Sequence, residues 1–113
     1  MPQYAILIFE ATPASELPPE ILEAHGAVDG EMQQRGGKIL AGVALETADT
    51  ATSIRGDLLT DGPFIETKED LAGVYVLEAR DLDHALALAR MTPIVDGGVE
   101  VRPLNGFQIV EDD

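Results

Sequence analysis

The 113-residue chain has the length of a single domain spanning 1–113, with 45% apolar and 25% charged residues, ordinary proportions for a globular protein. Twenty-one acidic against seven basic side chains leave a net charge of −14. That surface repels phosphate backbones and anionic membranes, which argues against nucleic-acid and membrane partners; it either serves solubility or suits a basic protein partner. The absence of cysteine excludes disulfides, thiolate metal sites and a cysteine nucleophile, and it fits a cytoplasmic protein. No leader with a basic region before an apolar stretch is visible, and no apolar run approaches the ~20 residues of a membrane span.

Residues 3–9 (QYAILIF) read as a first strand, buried on nearly both faces. Three prolines punctuate the linker behind it. A helix is predicted over 19–35: Pro19 suits the first helical position, and Glu20 and Glu23 favour its positive end. Ile21, His25, Val28 and Met32 form the expected inward stripe, and Gly36-Gly37 ends the helix. Residues 38–46 read as a second strand. Residues 51–55 and 58–60, joined by Gly56-Asp57, read as a small hairpin. After a loop over 61–70, residues 71–78 (LAGVYVLE) form the strongest strand. Asp81 caps a second helix over 82–90, whose stripe is predicted as Leu82, Ala85, Leu86 and Ala89, leaving His84 exposed. Gly97-Gly98 turns the chain into a last strand over 99–102, closed by Pro103.

With the hairpin set aside, the order is βαβ–βαβ, the ferredoxin-like α+β plan. Both helices then cover one sheet face, and the other carries apolar side chains that need cover. The same face of a second copy supplies it at least cost, so a homodimer packed sheet to sheet is expected.

The loop over 61–69 (DGPFIETKE) concentrates charge at a forced turn. Gly62 can take positive φ, Pro63 restricts it, and Phe64 is expected to anchor the loop by burial. Asp61, Glu66, Lys68 and Glu69 are then displayed on a stiff support, where a buried carboxylate beside a lysine suits general acid–base work. Alternatively Asp61 satisfies turn amides and Glu66 pairs with Lys68 or Arg55. His25 either forms an acid–base dyad with Asp61 or Glu66, or is a hydrogen-bonded core histidine. Arg55 and Arg102 either pair with Glu66 and Glu100 or hold a small anion. No metal-ligand spacing, nucleophile elbow or phosphate loop occurs, so no metal and no cofactor is expected.

The segment 60–69 (TDGPFIETKE) resembles the signature of the DGPF type of YCII-related proteins. Residues 51–55 (ATSIR) and 99–103 (VEVRP) resemble further strands of that family and 73–82 (GVYVLEARDL) its next strand and helix entry, so that the likeness runs over about 3–104. It implies a dimeric α+β barrel. It also implies a histidine near the middle of the first helix, like His25, pairing with an aspartate in an active site. Such proteins are often encoded beside extracytoplasmic-function sigma factors. Two functions are therefore expected to compete. One is an enzyme that uses His25 and Asp61 as a proton-transfer pair on a small polar substrate, with Glu66, Lys68 and Arg55 binding it. The other is a non-catalytic module that binds a small ligand or a basic regulatory protein linked to sigma-factor control.

Overall fold

The computed structural model describes residues 1–65 and 69–110. Strands β1 (Gln3–Glu10), β2 (Lys38–Ala44), β5 (Asp70–Glu78) and β6 (Gly97–Pro103) form an antiparallel sheet of order β2-β5-β1-β6. A separate two-stranded sheet is made by β3 (Thr52–Arg55) and β4 (Leu58–Asp61). Helices α1 (Pro19–Gln34) and α2 (Leu82–Ala89) complete an α+β architecture compatible with the ferredoxin-like plan.

Alternation along the strands divides the side chains between two faces. Tyr4, Ile6, Tyr75 and Leu77 point toward the helices and join Met32 of α1 and Ala85, Leu88 and Ala89 of α2 in the buried core. Ala5, Leu7, Val74 and Val76, neighbours in register, lie on the opposite face and are only half-buried. Pro103 ends β6 at the sheet edge, where its missing N–H costs no ladder bond. Gly97 and Gly98 do not form the expected turn. They are the first residues of β6, opposite Glu10 and Phe9, and a Cβ at Gly97 would fall 2.0 Å from the Phe9 carbonyl oxygen.

The end of α1 follows from Gly36. Its φ of +86° lets its N–H reach the Gln33 carbonyl (3.1 Å) while the Gly37 N–H reaches the Met32 carbonyl (3.0 Å), a Schellman closure. The inward stripe of α1 is Ile21, Ala24, Val28 and Met32. His25, expected on that stripe, lies one position round the helix and is exposed.

The second helix departs further from expectation. Its stripe is His84, Ala85, Leu88 and Ala89, while Leu82 and Leu86 are 46% and 38% exposed. His84, expected on the surface, is 7% exposed. Its Nδ1 accepts the Arg80 N–H (3.0 Å) and its Nε2 lies 2.8 Å from the Arg35 carbonyl. The first bond requires a bare Nδ1, so the proton sits on Nε2 and is donated to Arg35. That carbonyl belongs to the α1 C-cap, one of the acceptors a helix end leaves without an internal partner. The imidazole thereby ties the end of α1 to the start of α2. Asp81 caps α2 as expected, accepting the His84 N–H at 2.8 Å.

Candidate functional site

A cleft of about 850 Å³ opens on the helix side of the sheet, a volume suited to a small molecule. Its floor is β1 and β5, and its walls are α1, the segment leading into α1, and the chain leaving β2 through a 3-10 turn at Ala48–Thr50. The register of β1 on β5 puts Ile8 opposite Gly73 and Ile6 opposite Tyr75. The floor is therefore low at Gly73 and walled by the Tyr75 ring. Val28 and Ile39 extend the apolar lining.

Polar groups enter from several directions. His25 lines the cleft from α1, and no hydrogen bond from another described residue occupies its imidazole. The Tyr75 hydroxyl lies 2.7 Å from Thr92 Oγ1, and both residues face the cleft. Burial raises the phenol above its ordinary value and the Thr92 bond only partly offsets that, so the ring remains a neutral hydrogen-bonding group at physiological pH. Glu10 closes one end. Its carboxylate accepts the N–H groups of Val95 (2.7 Å), Asp96 (2.8 Å) and Thr12 (3.2 Å). Burial pushes this carboxyl upward, but those donors outweigh burial and hold it below its ordinary value. Asp70 stands directly opposite Glu10 in register and also lines the cleft.

The DGPF segment lies elsewhere. Gly62 has the expected positive φ, +98°, and its carbonyl accepts the Ser53 hydroxyl (2.6 Å), so the turn is tied back to its own hairpin. Phe64 does not bury: it is 58% exposed, and the Arg55 guanidinium sits 4.7 Å from its ring centroid, a cation–π contact. Asp61 ends β4 opposite Thr52 and is exposed. Neither Asp61 nor Arg55 lines the cleft, and no hydrogen bond or ion pair joins Asp61 to His25. Glu66 and Lys68 lie outside the described residues. Arg102 forms the expected ion pair with Glu100, on the surface. Among the described residues no cluster of three or more histidine and carboxylate side chains is arranged to hold a metal, and no helix is long and apolar enough to cross a membrane.

Sequence reasoning missed Glu10, Asp70 and the Tyr75–Thr92 pair. A carboxylate closing an otherwise apolar strand was a readable signal at Glu10; the Tyr75–Thr92 contact joins residues 17 apart and left none.

A model of the YCII-related domain family matches residues 3–108. The chain belongs to the YCII-related family. One curated relative, an uncharacterized protein of Rhizobium meliloti (strain 1021), is 46% identical over 50 residues, covering 42% of this chain and 40% of that protein. The match thus spans well under half the length of that relative.

Proposed function

We propose that this YCII-related protein, of the DGPF type by its motif at 60–69, is an enzyme that binds a small molecule in the cleft and uses His25 to move a proton on it. The observation that carries the reading is the contrast between the two histidines. His84 has both ring nitrogens engaged within the fold. His25 stands at the wall of the cleft, exposed, with its imidazole free to bond a ligand. An imidazole can offer an acceptor nitrogen on one side and a donor N–H on the other, and it suits general acid–base catalysis when a substrate atom comes within hydrogen-bond reach. Asp61 remains the proposed carboxylate partner, with Arg55, Glu66 and Lys68 as proposed substrate contacts. Since Asp61 stands on the hairpin, its pairing with His25 requires that the hairpin approach the cleft.

Ligand-observed NMR against mixtures of small metabolites tests this reading, with the natural chain compared with Val28→Phe, His25→Ala and Asp61→Asn. Hits should be lost on filling the cleft with Val28→Phe, and any hit that is turned over should bind but not react with His25→Ala. Asp61→Asn should slow the same turnover. Hits indifferent to Val28→Phe, or turnover that survives His25→Ala, would refute the assignment.

A second reading, protein association, is supported by apolar exposure. Ile54, Leu58 and Leu59 on the hairpin are each more than 60% exposed, and the helix-free sheet face is apolar along Ala5, Leu7, Val74 and Val76. We propose that this face packs against its counterpart in a second copy, as the barrel-type dimer requires. A basic regulatory protein is the proposed partner for the acidic surface in the non-catalytic alternative.

A further inference from the structure

We infer that the cleft takes an organic cation: a small molecule with an apolar body and an amine or quaternary ammonium end. This rests on the reading of the cleft as a ligand site and concerns the charge of what fills it. The lining supplies four carboxylates, those of Glu10, Glu46, Asp49 and Asp70, and among the described residues no lysine or arginine. Two of them, Glu10 and Asp70, are direct cross-strand partners, and like charges set opposite each other on neighbouring strands repel. Glu10 is held in place by its three backbone donors, so its carboxylate stays at the end of the cleft on the strand beside Asp70. A positive group lodged between the two strands' ends meets both acidic side chains at once.

Concave, low-dielectric walls strengthen the effect, because they focus the field of the charges at their rim. The body of the ligand is set by the rest of the lining: Ile8, Val28 and Ile39 offer hydrocarbon, and the Tyr75 ring offers a face on which a cation is also attracted. The described side chains form no metal-binding cluster, so the charge they suit is carried on an organic group rather than a bare ion. An anionic substrate, by contrast, meets four acidic residues and no lysine or arginine among the described residues, with His25 the one basic side chain of the lining.

The test uses three probes that share a phenyl body: 2-phenylethylammonium, 2-phenylethanol and 3-phenylpropionate. Each is titrated into the ¹⁵N-labelled chain at low ionic strength, with the amides of His25, Gly42 and Gly73 reporting on the cleft. The ammonium probe should bind at least tenfold more tightly than the propionate, with the alcohol between them. Raising salt to about 0.5 M, where the screening length falls to a few ångströms, should shrink that ratio to threefold or less. Asp70→Asn should shrink it as well, while Glu31→Gln, which removes an equal charge from the exposed side of α1, should leave it unchanged. Equal affinities, a preference for the propionate, or equal effects of Asp70→Asn and Glu31→Gln would overturn the charge assignment while leaving the cleft as a ligand site. Absence of cleft shifts with every probe would overturn the cleft as a site and the inference with it.

Discussion

Replacing His84 by leucine removes the acceptor of the Arg80 N–H and the donor to the Arg35 carbonyl in one step. Each hydrogen bond contributes about 0.5–1.5 kcal/mol, and stranding a buried partner costs about 1–3 kcal/mol. Arg35 and Arg80 are themselves exposed residues, so water reaches the stranded backbone groups in part, and the leucine regains some apolar contact. The expected loss is therefore about 2 kcal/mol. At an unfolding entropy of roughly 2.1 cal/mol/K per residue, a chain of this length loses about 8 °C in Tm. Urea unfolding followed by far-ultraviolet circular dichroism is the suitable assay, since the chain has no tryptophan. The midpoint should fall while the slope m stays constant. His25→Ala, at an exposed position without side-chain hydrogen bonds, should change stability by less than about 0.5 kcal/mol. A leucine variant as stable as the natural chain, or a His25 variant equally damaged, would refute the assignment of one histidine to the fold and the other to the cleft.

Other substitutions probe different parts of the molecule. Glu10 has a folded-state carboxyl held below its ordinary value of 4.5, so its contribution is fully present above that value and is lost as pH falls through the lower folded value. Glu10→Gln should cost about 1 kcal/mol at neutral pH and flatten the acid limb of a stability–pH curve; an unchanged acid limb would show that the clamp on residues 95–96 carries no pH-linked stability. Sedimentation should give a species of twice the 12.0 kDa chain mass, and Leu7→Glu, placed on the helix-free face, should return it to a monomer. A natural chain that sediments as a monomer would remove the case for the sheet-to-sheet dimer. Gly62→Val forces a branched side chain into a backbone of φ +98° and should destabilise the hairpin end by about 1–2 kcal/mol; unchanged unfolding would mean that the turn relaxes without cost.

Most elements were legible because their signals are local. The β-rich runs at the ends of the four-stranded plan, the Gly56-Asp57 hairpin, the Asp81 cap and the Gly36-Gly37 stop each depend on residues within a few positions of one another. What escaped depended on partners far along the chain. In α2 three leucines leave two apolar stripes available by periodicity alone, and Leu82 with Leu86 looked the greasier choice. The structure instead turns His84 inward, where the carbonyl of Arg35, 49 positions away, gives its imidazole a partner. In α1 Ile21, Val28 and Met32 face inward as expected, and the fourth place goes to Ala24 rather than His25, a choice between i+3 and i+4 that helical spacing leaves open. The cleft was least legible of all, because Glu10 and Asp70 meet only through the β1–β5 register.

The placement of Met32 near one end of α1 has a mechanical consequence. That end is seated in the core, closed by its glycine pair and tethered to α2, whereas Met32 is the only residue of the helix to be fully covered. The half that carries His25 rests on partly covered side chains. A substrate in the proposed site would therefore meet a firm anchorage at the Met32 end of this helix and a less covered stretch on the side of His25.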